Sequence, residues 1–140
     1  RQRLAGFRDR IREAGFPMED LVVAETVIEY ETTCRVVTET IDRYPRLRGI
    51  YMANRSVSGC AAAIVQAGKM GAIRLICHDL NESVRQLLLR GSIDFTIPHN
   101  LRQQGYGPLI LLRDVLRRKA APDAARFNRQ IDIVCSDNLP

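Results

Sequence analysis

Five side chains stand where recognition chemistry can be done. Asn54 and Arg55 follow the apolar stretch 49–53 directly, Asp79 follows the nearly unbroken apolar run 73–77, and His99 follows Ile97 and Pro98. Arg3 lies on the first helical pattern. A carboxylate accepts hydrogen bonds, a carboxamide does both, a guanidinium donates in a fixed fork and an imidazole does either, so together they suit a polar small molecule. Each also has a plain structural reading. Asp79 stands three residues before Glu82, the spacing of a capping box, so its carboxylate could serve a helix start. Asn54 and Ser56 could likewise cap the helix that follows them. Arg3 could be a solvated charge, and His99 an ordinary loop residue.

Bond-making chemistry finds little support. The two histidines, His78 and His99, are far apart in the chain with no Ser or Cys in a nucleophile-elbow context. Cys77 and His78 are neighbours on a predicted strand and point to opposite faces, which rules them out as a nucleophile–base pair or as joint metal ligands. Neither the dinucleotide glycine fingerprint nor the phosphate-loop motif occurs, so no enzyme, cofactor or metal is expected.

These residues are carried by alternating helical and extended patterns, the sign of βαβ units around a parallel sheet. Residues 2–14 place Leu4, Phe7, Ile11 and Ala14 on one helical face, ended by Gly15 and Pro17, and a strand is predicted at 21–27. A helix is predicted over 32–44, a strand over 49–53, a helix over 56–69 and a strand over 73–77. The last is an almost continuous apolar run, so a central strand covered on both faces is expected. A helix over 81–90, a strand over 93–97, a long helix over 101–118 and a final strand over 131–135 complete the pattern. The ligand crevice of such a sheet lies beyond the carboxyl ends of the strands, where all but one of the five residues fall.

Composition agrees with one domain: 140 residues, 46% hydrophobic. The net charge of +5 is diffuse, with arginines on helical spacing rather than interleaved with stacking aromatics, so direct nucleic-acid binding by this segment is not expected. No apolar stretch is long enough for a membrane span, and residues 1–7 carry no export signal. Cys34, Cys60, Cys77 and Cys135 lie far apart with no Cys-x-x-Cys pair. They read as reduced thiols, pointing to a cytoplasmic protein.

The order of four motifs, Arg3-Leu4-Ala5-Gly6-Phe7, Gly49-Ile50-Tyr51-Met52-Ala53-Asn54, Ile76-Cys77-His78-Asp79 and residues 91–99, resembles the lactose-repressor (LacI) family of transcription regulators over nearly the whole chain. The resemblance implies a three-layer αβα sandwich with a mostly parallel sheet, the C-terminal subdomain of a type I periplasmic-binding-protein-like sensor. Residues 1–140 would be that subdomain, with the N-terminal lobe and the helix-turn-helix head lying outside this chain. The implied function is effector sensing, a sugar or sugar derivative being bound at the strand ends by Arg3, Asn54, Asp79 and His99. DNA would be engaged through the head domain, and the protein would be a homodimer. The alternative is the solute-binding component of a sugar transporter, which shares the fold. One departure stands out, since Arg55 occupies the position where the family has an aspartate. Either Arg55 turns to solvent or the ligand is anionic, a sugar phosphate or sugar acid. Residues 101–118 would cross to the other lobe. Without it, the apolar side of that helix, with Tyr106, Leu109, Ile110, Leu112, Val115 and Leu116, is expected to fold back on the domain or to pair with a second copy.

Overall fold

The computed structural model of the chain describes residues 2–99, 101–117 and 131–140, with backbone alone for 101–103. Three short strands, β1 (Gly49–Tyr51), β2 (Arg74–His78) and β3 (Phe95–Ile97), form a parallel sheet in the order β1-β2-β3. Helices α3 (Val57–Gln66) and α4 (Glu82–Leu89) make the two crossovers, and α2 (Tyr30–Arg43) precedes β1. Ile50 pairs with Leu75 and Cys77 with Thr96, which sets these side chains on one face of the pleat. Leu75, Cys77 and Thr96 are fully buried there, in a core shared with Ile64 of α3 and Leu88 of α4.

Helix α2 buries Thr33, Val37 and Ile41, one residue per turn, against α3. Helix α3 presents small residues, Gly59, Cys60, Ala61 and Ala63, so the two backbones approach closely. A Cβ on Gly59 would lie 2.6 Å from the Tyr30 carbonyl oxygen and 3.2 Å from the Thr33 Cβ. Backbone cannot yield as a side chain can. Gly59→Ala is therefore expected to destabilise the fold by about 1–3 kcal/mol, read as a lower urea midpoint with an unchanged slope.

On the opposite face of the sheet lie Tyr51, Ile76, His78, Phe95 and Ile97, of which Phe95 is exposed. Helix α1 (Gln2–Glu13) meets this side by stacking Phe7 on Tyr51, ring centroids 4.8 Å apart. The α/β sandwich thus has one thick helical layer and one thin one. The predicted face of α1 is the right one: Leu4, Phe7 and Ile11 are half-buried, though none is fully so.

Two predicted strands are not strands. Residues 21–27 run without a ladder, because β1 pairs only with β2 and no other described strand lies beside the segment. Side chains take its carbonyls instead: Asn54 donates to Thr26 O, and Thr33 to Val27 O. Residues 131–135 contribute one antiparallel bridge, in which Thr96 and Val134 exchange backbone bonds of 2.8 and 2.9 Å. The chain then turns into a 3-10 helix at Ser136–Asn138, with the Cys135 N–H donating to Asn138 Oδ1 at 2.7 Å.

The long helix, α5 (Leu101–Leu116), contains Pro108. Its half-buried line is Gly107, Ile110, Leu111 and Asp114. Tyr106, Leu109, Leu112, Val115 and Leu116 are exposed, so the apolar side does not fold back as expected. Only Ile110 of that side is covered, because the register of the helix turns the 107–111–114 line inward. Arg118 and the predicted loop at 119–128 lie outside the described residues. The four cysteines are free, Cys60 and Cys77 buried and the other two half-buried. Burial, with Cys77 and Cys34 nearby, pushes the Cys60 thiol up to about 12.

Candidate functional site

Asp79 has a left-handed backbone, φ 68°, the one described non-glycine residue that does. Such a conformation costs about 1–2 kcal/mol and persists only where neighbours enforce it. Here the Asp79 N–H donates to Ile97 O at 3.1 Å, and the buried Thr96 hydroxyl donates to Asp79 O. The capping reading of Asp79 is therefore corrected. Strand β2 continues to His78, and the cap of α4 falls two residues later at Asn81, whose Oδ1 accepts from the Val84 N–H at 2.9 Å. The Asp79 carboxylate is free of the helix. Asn81→Ala should cost about 1 kcal/mol of stability, measurable by chemical unfolding, whereas Asp79→Ala should cost no cap energy.

The capping reading of Asn54 and Ser56 is corrected as well. Ser56 occupies the N-cap of α3 without a side-chain cap bond. Its hydroxyl donates instead to Glu29 O at 3.0 Å, across to the segment before α2. Asn54 accepts from the Ser56 N–H at 3.0 Å and donates to Thr26 Oγ1 at 2.6 Å. Both of its amide ends are thus engaged within the chain. Helix α3 begins where Asn54 and Ser56 tie it to residues 26 and 29 rather than with a side-chain cap of its own.

Arg3 brings the strand ends and α1 to one place. One guanidinium nitrogen donates to Ala53 O, just past β1, at 2.9 Å, and the other lies 2.7 Å from His99 Nε2, just past β3. His99 Nε2 is also 3.5 Å from Asp79 Oδ1, just past β2. Four separate elements therefore converge on one cluster, its Asp79 and His99 side chains about two-fifths exposed. Arg55 is exposed and makes no side-chain hydrogen bond or ion pair among the described residues.

Behind the polar groups runs a column of rings. Phe7 stacks on Tyr51, Tyr51 meets His78 edge-on at 5.4 Å, and His78 stacks on His99 at 6.2 Å. Tyr51 Oη is 2.5 Å from His78 Nε2. Burial lowers the His78 pKa, Arg3 and His99 acting in the same direction against Asp79 and the Ile97 carbonyl, so His78 is held neutral. Burial raises the Tyr51 phenol, partly offset by Arg3. Sequence reasoning missed Tyr51 and Phe7 as parts of this site. The signal was the strand period: with Ile50 and Met52 facing the core, Tyr51 must face α1.

Such a cluster, with an acceptor, a fork of donors and aromatic rings at the carboxyl ends of parallel strands, can hydrogen-bond a small polar molecule. No metal-binding group of three or more His, Cys, Asp or Glu exists among the described residues, and no described helix is long and apolar enough to cross a membrane.

The fold is that of the periplasmic-binding-protein-like sugar-binding proteins. The chain is similar to GanP, a glucose-galactose binding protein from Geobacillus stearothermophilus, at TM-score 0.76 and 20% identity, over 99% of this chain and 49% of that one. It is similar to a carbohydrate transporter solute-binding protein from Agrobacterium radiobacter in complex with D-arabinose, at TM-score 0.74 and 20% identity, over 98% and 46%. A transporter solute-binding protein from Agrobacterium vitis with bound D-fucose matches at TM-score 0.65 and 22% identity, over 84% and 40%. The chain thus spans about half the length of the structures it matches, or less. No protein-family model matches it, and no curated protein does.

Proposed function

We propose that this chain is one lobe of a sugar-binding sensor, holding its ligand at the strand ends with Arg3, Asp79 and His99, with Asn54 bracing the loop and Arg55 on the rim. The observation that carries the reading is the convergence of α1 and the ends of β1, β2 and β3 on the Arg3–Asp79–His99 cluster. The protein acts by binding and not by catalysis. In the finer reading it is the effector-sensing part of a LacI-type regulator in the cytoplasm, a homodimer that reaches DNA through a separate head domain. Closure of two lobes around the effector would shift the population of DNA-competent protein. Four unpaired cysteines support that setting, and the exposed apolar side of α5 supports burial against another lobe or copy.

The second reading, a transporter's solute-binding component, is favoured by the nature of the similar structures. An upstream helix-turn-helix in the gene decides for the regulator, and an export signal decides for transport. Sugar binding itself is tested by thermal shift of the complete protein with neutral sugars, sugar phosphates and sugar acids. Ligand that binds the native state raises the apparent midpoint by mass action. A shift with one class is expected. No shift with any class removes the sugar reading and leaves the fold.

A further inference from the structure

We propose that His99 is a proton-operated latch that holds α1 on the strand ends. Helix α1 buries no residue fully. Its charged side chains Arg10 and Glu13, and Arg12 and Asp9, pair within the helix. Its aromatic and hydrogen-bonded ties to the sheet side among the described residues are the Phe7–Tyr51 stack and the two bonds of Arg3, with Leu4 and Ile11 only half-buried. A guanidinium only donates, so the 2.7 Å contact to His99 requires a bare lone pair on Nε2, with the ring proton on Nδ1.

That lone pair is the weak point of the attachment. When His99 takes a proton from solvent at Nε2, it can no longer accept from Arg3, and its charge repels the guanidinium. The new N–H has an acceptor close by, Asp79 Oδ1 at 3.5 Å. The groups facing His99 from every element packed against it are Arg3 of α1, Asp79 after β2, and the His78 ring of β2 with Tyr51 of β1 behind it. Protonation therefore exchanges one partner for the other, and α1 loses one of its two polar ties while keeping the Ala53 bond and a single aromatic stack. The latch operates without any ligand, so it stands apart from the sugar reading.

The test is amide hydrogen exchange of residues 2–13 at about pH 8 and about pH 5.5, with rates corrected for intrinsic exchange. Protection in α1 should fall several-fold at the lower pH while that of α4 holds. In His99→Gln the carboxamide oxygen accepts from Arg3 at either pH, so the fall should vanish. Equal protection at the two pH values overturns the latch. The same fall in His99→Gln also overturns it. Nitrogen NMR of His99 at about pH 8 provides a second reading, and a ring proton found on Nε2 would be incompatible with the latch.

Discussion

Asp79→Ala should weaken binding of any sugar recognised at this site by roughly 10- to 150-fold, the equivalent of about 1.5–3 kcal/mol for hydrogen bonds to a charged group. The carboxylate caps no helix, so its loss removes acceptors from the ligand without removing support from α4. Stability should even rise slightly in Asp79→Gly, since glycine adopts φ 68° without strain. Titration calorimetry with the sugar found by thermal shift, on the two variants beside the parent, separates these effects. Affinity that survives Asp79→Ala would mean that the cluster is not the binding site.

The largest loss of stability is expected at Leu75→Ala. Leu75 is fully buried in the middle strand, between β1 and β3, and its side chain lies on the thick helical layer with Ile50 and Cys77. Truncation there removes contacts from both crossover helices and leaves a cavity that a pinned central strand cannot collapse, which costs about 2–5 kcal/mol. Against a usual total of about 5–15 kcal/mol, the variant should be partly unfolded at physiological temperature. Urea unfolding followed by circular dichroism measures it. A loss well under about 1 kcal/mol would mean that the core does not rest on this strand. Ile76→Ala, on the thin and half-buried face, should cost clearly less.

The contrast between these two neighbours shows where sequence was informative. The run 73–77 is apolar but for Arg74, which led to a strand covered on both faces. Position 75 agrees and position 76 does not, because coverage of the second face depends on what α1 brings, and α1 brings little beyond Phe7. Helices were legible from period and stop signals: Gly15 and Gly91 do adopt positive φ just past α1 and α4. Strands at 21–27 and 131–135 were misread because a strand needs a neighbour, and propensity alone does not supply one. Segment 21–27 has suitable residues, yet its carbonyls go to Asn54 and Thr33.

The site was legible in its polar members and not in its geometry. Breaks from apolar strand to polar loop located Asn54, Asp79 and His99, and the family resemblance added Arg3. Spacing could not reveal that Asn81 rather than Asp79 caps α4, since both Asp-x-x-Glu and Asn-x-x-Val fit a helix start and the choice depends on where β2 ends. Nor could spacing reveal that Asn54 is engaged at both amide ends.

Chemical-shift mapping with a bound sugar tests the central claim most directly, because it reports the place of binding and not only its strength. Perturbations concentrated at Arg3, Tyr51, Asp79 and His99 are predicted, with Arg55 moving further for a sugar acid or phosphate than for a neutral sugar. Perturbations confined instead to the open groove between α2 and the end of α3, lined by Tyr30, Cys34, Thr38 and Gln66, would contradict it.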